Sequence, residues 1–136
     1  KIKKTALSIG VGIIDNKAVD SINILKATFL AMRTAIKALS VKPGLILVDG
    51  NLKIPEVDIP QKAIIAGDGK SACIACASII AKVTRDRLMR KMDRKFPRYG
   101  FSRHKGYGTK AHILALRKFG MCGIHRRSFC GKFTNS

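Results

Sequence analysis

The sequence predicts an α/β fold on three observations. Two short apolar runs, "LILVDG" (45–50) and "KAIIAGDG" (62–69), have the character of strands covered on both faces. Helical periodicity occupies the stretches before and after them. Pro and Gly punctuate the junctions, at "KPG" (42–44), Pro55, Pro60 and Gly120.

Taken in order, "TALSIGVGIID" (5–15) mixes β-branched residues with glycines and reads as a strand. "VDSINILKATFLAMRTAIKALS" reads as one helix with Ile22, Leu25, Phe29, Met32, Ile36 and Leu39 on its apolar stripe. Asp20 or Ser21 can cap it, and "KPG" stops it. The strands 45–50 and 62–69 follow, each ending on an Asp-Gly. A long helix is expected from Ala72 to Phe96, small and apolar at first ("ACIACASIIA"), basic afterwards. A basic-aromatic loop, "PRYGFSRHKGYG", leads to a last helix that Thr109 caps and Gly120 ends.

Charge narrows the partners. Lys and Arg number 27 against 8 Asp and Glu, a net charge of +19. Residues 82–136 carry 16 of the basic and 2 of the acidic residues. A folded chain with that asymmetry is suited to a polyanion, and nucleic acid leads. An anionic membrane comes second, but no apolar run of about 18 residues occurs, so no membrane partner is expected. Hydrophobic residues make up 46% of the chain, enough to exclude a disordered tail.

"CIAC" (73–76) has the C-x-x-C spacing, yet Cys122 and Cys130 do not form a matching pair. Buried helix packing is the expectation there, not zinc. No signal-peptide pattern is present, and a reducing, cytoplasmic setting is expected. The sequence starts on Lys1 without a Met, which suggests a fragment or a processed piece.

Asp49 and Asp68 stand out because acid is scarce. Each follows an apolar strand, and the carboxyl edge of an α/β sheet is where ligands gather. An Asp-Gly is also an ordinary turn. Two of them on buried-type strands favour a site, and oxygen donors without Cys or His favour Mg²⁺ or Mn²⁺. With a polyanion as partner, that chemistry is metal-assisted phosphodiester hydrolysis.

The run "LVDGN…AGDGKSACIACASIIAKVTRDRLM…YGFSRHKGYGTKAHILAL…IHRRSF" resembles bacterial ribonuclease HII over nearly the whole chain. The resemblance implies a ribonuclease H-like mixed sheet flanked by helices, with the first two strands absent from this chain. It implies one incomplete catalytic domain over 1–136, its basic part at about 82–136. It implies an endoribonuclease that cuts the RNA strand of RNA–DNA hybrids and ribonucleotides embedded in duplex DNA, working as a monomer with two divalent ions, Mg²⁺ or Mn²⁺. Of the family's four carboxylates, two match Asp49 and Asp68, as catalytic and metal-binding residues. The other two belong to an Asp-Glu-x-Gly-Arg-Gly motif that this sequence does not contain, so the chain alone is expected to be inactive. By the same resemblance Tyr107 packs at the nucleotide junction, while Lys82, Arg103, His104, Lys105, Arg126 and Arg127 meet phosphate. His125 is weighed as a base and assigned a structural or phosphate role, and Asp86 is expected to be an ion-pair partner of Arg85 and Arg87. The competing reading is a basic nucleic-acid-binding module without catalysis. In the resemblance, residues 5–15 are the family's third strand and stand unpaired with 45–49 here.

Overall fold

The structure, a computed structural model, describes residues 1–134. The chain forms two compact units: residues 1–14 with 22–81, and residues 15–21 with 82 onward. Its helices are α1 (Ile2–Thr5), α2 (Asn16–Ile22), α3 (Ile24–Lys37), α4 (Ala72–Lys95), α5 (Phe101–His104), α6 (Lys110–Phe119) and α7 (Arg127–Cys130). The strands are β1 (Ile46–Asp49) and β2 (Gln61–Ile64). The α/β class is therefore observed.

In the first unit, β1 and β2 pair in parallel, Ile46 opposite Gln61 and Asp49 opposite Ile64. The connection between them is tied down by one side chain. The Gln61 amide accepts from the Ile54 N–H at 2.8 Å and donates to the Ile54 carbonyl at 2.9 Å. Val48, Ile54 and Ile74 are buried here, with Ala27 of α3.

Residues 6–15 depart from the expected strand. They carry no ladder to β1 or β2, and Thr5, the first residue of the expected strand, ends α1 instead. The segment is not paired with 45–49, as the resemblance implied. Its glycines have a different purpose from strand formation. A Cβ built on Gly10 would stand 1.9 Å from the Ala35 carbonyl oxygen, and one on Gly12 would stand 1.8 Å from that of Ala31. The alternate glycines thus let an extended backbone lie on the α3 backbone at two points one helical turn apart. Gly12→Ala is expected to destabilise the chain by about 1–3 kcal/mol or more, because backbone rather than a flexible side chain must move. A denaturant titration of the variant checks this.

The helix expected over 19–40 is two helices. Asn23 has φ 72 and caps α3, its Oδ1 accepting from the Lys26 N–H at 3.0 Å. Asp20 and Ser21 cap nothing there; Asp20 acts elsewhere, as described below. The apolar stripe holds in part: Phe29, Met32, Ile36 and Leu39 are half-buried, while Leu25 is exposed.

The second unit is built on Phe101 and Leu116, each 2% exposed, with Tyr99, Ala115 and Cys130. Met89 and Met92 of α4 and Phe96 just after it pack against them. Thr109 caps α6 as expected, its hydroxyl accepting from the His112 N–H at 3.3 Å, and Gly120 with φ 72 ends it. The expected packing role of "CIAC" is not met at Cys73, which is exposed, and Cys76 is half-buried.

Candidate functional site

The carboxylates occupy the end of the parallel pair in the first unit. Asp49 is the last residue of β1, and the chain leaving β2 turns through Ala66, at φ 52, into a 3₁₀ turn over Gly67–Gly69. One Asp49 oxygen accepts from the Gly67 N–H at 2.8 Å. Gly67 is buried, and a Cβ there would lie 2.5 Å from Ile74 Cδ1 and 3.3 Å from Asp49 Oδ1. Only glycine lets the turn close against both the α4 start and the carboxylate. That turn presents Asp68, whose Oδ1 accepts from the Gly69 N–H at 2.9 Å. Asp49 and Asp68 are both exposed and belong to one linked turn.

This donor set fits a hard divalent cation in kind, since carboxylate oxygens suit Mg²⁺ and Mn²⁺. In number it supplies two residues. Among the described residues no group of three or more His, Cys, Asp or Glu is placed to hold a metal. The Asp49–Asp68 turn can therefore contribute part of a coordination sphere.

The nucleic-acid candidates all lie in the second unit. Lys82, Arg103 and Arg127 are exposed and free to approach a phosphate. Arg126 is half-buried, its guanidinium 4.9 Å from the Phe129 ring centre. Lys105, at φ 52, turns its ammonium back onto the Ser102 carbonyl. Tyr107 is 64% exposed, with the Arg85 guanidinium 5.3 Å from its ring centre. Arg85 also donates from Nη2 to the Lys105 carbonyl at 3.0 Å. Asp86 does not take the ion-pair role expected of it: among the described residues the ion pair is Arg33 with Glu56.

His104 is corrected from a phosphate contact to a core residue. It is buried, and both ring nitrogens are taken by backbone groups. It stacks on His112 with ring centres 4.1 Å apart, and His112 meets His125 at 3.0 Å between their Nε2 atoms. All three histidines of the chain are buried in this one cluster.

The surrounding backbone fixes their protons. His104 Nδ1 accepts from the Gly106 N–H, so its Nε2–H donates to the Tyr99 carbonyl at 2.7 Å. His112 Nδ1–H donates to the Tyr107 carbonyl at 2.9 Å, which leaves Nε2 as an acceptor. His125 Nδ1 accepts from the Cys122 N–H at 2.9 Å, so its Nε2–H donates to His112. Every contact is satisfied with three neutral rings. A proton added to His112 would set two N–H groups against each other. Burial, reinforced by the neighbouring His112, pushes His125 down from 6.5 to about 4. Burial lowers His112 as well. His125 is therefore structural, the first of the two roles, structural or phosphate, that the sequence left to it. Burial also raises the Cys122 thiol, which lies 3.2 Å from His125 Nδ1, so this Cys–His pair is not an activated nucleophile.

Two further contacts have no direct signal in the sequence. Asp20 accepts from the Arg127 N–H at 2.7 Å, from the Ser128 N–H at 3.1 Å and from the Ser128 hydroxyl, capping α7 from 107 residues away. The Ser128 hydroxyl holds its carboxyl below the usual value. Asn16 donates to the Gly123 and His125 carbonyls, which fastens the stretch 15–21 to the second unit. Both contacts carry a polar side chain across more than a hundred residues, which no local pattern encodes.

The ribonuclease HII family model matches residues 1–132. The chain belongs to the ribonuclease HII family. It is 52% identical over 132 residues to "Ribonuclease HII" of Acetivibrio thermocellus, covering 97% of this chain and 51% of that protein. It is 54% identical over 130 residues to the protein of the same name from Geotalea daltonii, covering 96% and 60%. The chain thus spans between half and about three fifths of these ribonuclease HII relatives. The crystal structure of ribonuclease H2 from Pyrococcus horikoshii OT3 matches with a TM-score of 0.69 at 23% identity, over 88% of this chain and 65% of that one, and shows the shared fold.

Proposed function

We propose that this ribonuclease HII chain is part of one catalytic domain of an endoribonuclease that cuts the RNA strand of RNA–DNA hybrids and ribonucleotides embedded in duplex DNA. The observation that carries the reading is the Asp49–Gly67 link, which joins one hard-oxygen donor on the last residue of β1 to the turn after β2 that carries the other, in a chain with a net charge of +19. Asp49 and Asp68 hold Mg²⁺ or Mn²⁺ in this reading. The chemistry such ions supply when bound is Lewis-acid polarisation of a phosphodiester and activation of water. The chain's own contribution there is placement, with Gly67 N–H fixing the Asp49 carboxylate so that no reorganisation is needed on binding.

Lys82, Arg103, Arg126 and Arg127 give sequence-independent affinity for the sugar–phosphate backbone in this proposal. Lys105 adds to it when its ammonium swings from Ser102. Tyr107 offers an aromatic face to the nucleotide at the junction, where the 2′-hydroxyl distinguishes RNA from DNA. The protein acts as a monomer in the cytoplasm. No helix among the described residues is long and apolar enough to cross a membrane.

Tyr107→Ala tests the reading. Binding of an embedded-ribonucleotide duplex should weaken by about 1–3 kcal/mol, as for loss of one stacking contact. An all-DNA duplex should be affected less. Fluorescence anisotropy on the two labelled duplexes measures both, and equal losses would remove Tyr107 from recognition. The second reading, a basic binding module without catalysis, is favoured by the two-residue donor set, and a cleavage assay on the chain joined to a segment that carries the Asp-Glu-x-Gly-Arg-Gly motif separates it.

A further inference from the structure

We propose that His112 and His104 are positioning residues for Tyr107, holding the recognition loop from beneath through its backbone. The inference rests on the reading above that Tyr107 faces nucleic acid.

The loop needs support from below. Lys105 and Gly106 lie at φ 52 and 82, in the left-handed region, and the lysine has no intrinsic preference for it. Tyr107 is solvent-exposed, so packing does not fix it. Imidazoles hold its carbonyl and the N–H of the residue before it. His112 Nδ1–H donates to the Tyr107 carbonyl at 2.9 Å, the same oxygen that accepts from the Thr109 N–H at 2.9 Å. His104 Nδ1 accepts from the Gly106 N–H at 3.1 Å, while the His104 carbonyl accepts from the Tyr107 N–H at 2.8 Å. From outside, Arg85 reaches the Lys105 carbonyl and lies against the Tyr107 ring.

The choice of histidine has a physical reason. The loop offers the Tyr107 carbonyl to His112 and the Gly106 N–H to His104. A neutral imidazole meets either group with one nitrogen while the other takes the opposite role, His112 accepting from His125 and His104 donating to the Tyr99 carbonyl. Lys or Arg would donate only, and would add buried charge to the most basic part of the chain. His125 completes the set by donating to His112 Nε2, which commits His112 Nδ1 to be the protonated nitrogen facing Tyr107. Neither His104 nor His112 is exposed enough to touch a duplex, at 7% and 4%. Their effect on recognition has to pass through Tyr107.

Two substitutions separate this role from simple core packing. In His112→Asn the amide nitrogen falls near the Nδ1 position and keeps the bond to Tyr107, but gives up His125. His112→Gln reaches the Nε2 position and keeps His125, but gives up Tyr107. Both are made in the 136-residue chain labelled with 3-fluorotyrosine, which reports two signals because Tyr99 and Tyr107 are its two tyrosines. In His112→Gln the Tyr107 signal should move, and amide exchange at Tyr107 and Thr109 should rise about tenfold, the worth of one hydrogen bond. Affinity for a labelled embedded-ribonucleotide duplex should fall with it. In His112→Asn these readouts should stay near those of the parent chain even if its melting temperature drops. Equal behaviour of the two variants, or an unmoved Tyr107 signal in His112→Gln, overturns the proposal.

If either variant fails to fold, the parent chain decides by itself. With ¹⁵N-labelled histidine, His112 should be the Nδ1–H tautomer, and His104 and His125 the Nε2–H tautomers, with a ¹⁵N–¹⁵N coupling between His112 and His125. Any other assignment for His112 overturns the proposal. If Tyr107→Ala leaves duplex binding unchanged, the recognition reading fails, while the fluorine and exchange results still decide whether the histidines position the loop.

Discussion

By itself, the 136-residue chain is expected to leave an embedded-ribonucleotide duplex uncut in Mg²⁺ or Mn²⁺ while still binding it. The basis is the donor count at the Asp49–Asp68 turn. Two exposed carboxylates can share a cation with water, but among the described residues no third His, Cys, Asp or Glu joins them. A phosphodiester acquires charge as it is attacked, and an ion held by two ligands is not fixed against the position where that charge develops. The shortfall against a complete enzyme should be of the order of 10⁶-fold or more, the usual scale of enzymatic acceleration. Binding should survive because the residues proposed to carry it, Lys82, Arg103, Arg126 and Arg127, are cations that do not depend on the metal. Joining the chain to a segment that carries the Asp-Glu-x-Gly-Arg-Gly motif should bring cleavage back, and Asp49→Asn or Asp68→Asn should then abolish it. Metal-dependent cutting by the 136 residues alone, lost in Asp49→Asn, would show that two carboxylates suffice.

Acid should loosen the second unit before it releases the Asp20 cap of α7. His125 takes a proton near 6.5 in the unfolded chain and near 4 in the folded one. Between those values the unfolded state binds more protons, so stability is intact above about pH 6.5 and declines as the pH falls toward 4. The displacement corresponds to about 3 kcal/mol for His125. His112, also lowered by burial, adds in the same direction. Folded domains have only about 5–15 kcal/mol in total, so this is a large part of the margin. Asp20 falls in a different window. Its lowered value means that its capping of α7 is kept until the pH drops below the usual carboxylate value of 3.8. Urea midpoints measured from pH 8 to pH 4 should therefore fall chiefly between 6.5 and 4. A flat profile over that interval would mean that the histidines protonate without disturbing their contacts.

How legible the molecule was depended on the range of the interaction. β1, β2, the Asp-Gly turns, helix α4 over Ala72–Lys95 and the Thr109 and Gly120 ends of α6 were all evident in the sequence, because apolar runs, helical period, caps and glycines act over a few residues. Asp49 and Asp68 were visible for the same reason, as Asp-Gly pairs after apolar runs, although the Gly67 N–H that holds Asp49 comes from 18 residues further on. The family motifs were legible as well, since they are local strings. The break at Asn23 was not, because a single residue at positive φ interrupts a stripe whose apolar period continues through it. Nor was the fate of 6–15, since β-branched residues and glycines suit both a strand and an extended segment lying on a helix, and only the contact with α3 decides between them. The sequence by itself determined which residues are candidates for chemistry: the scarce aspartates, the abundant cations and the aromatic among glycines. Tertiary structure alone decided which polar side chains turn inward. His104 reads as one base among many in "SRHKGYG", but it is buried because His112 and His125, eight and twenty-one positions later, supply the stacked, hydrogen-bonded surroundings in which an imidazole can stay neutral. A buried polar group is tolerable only when its partners are in place, and for these three rings the partners are set by the fold.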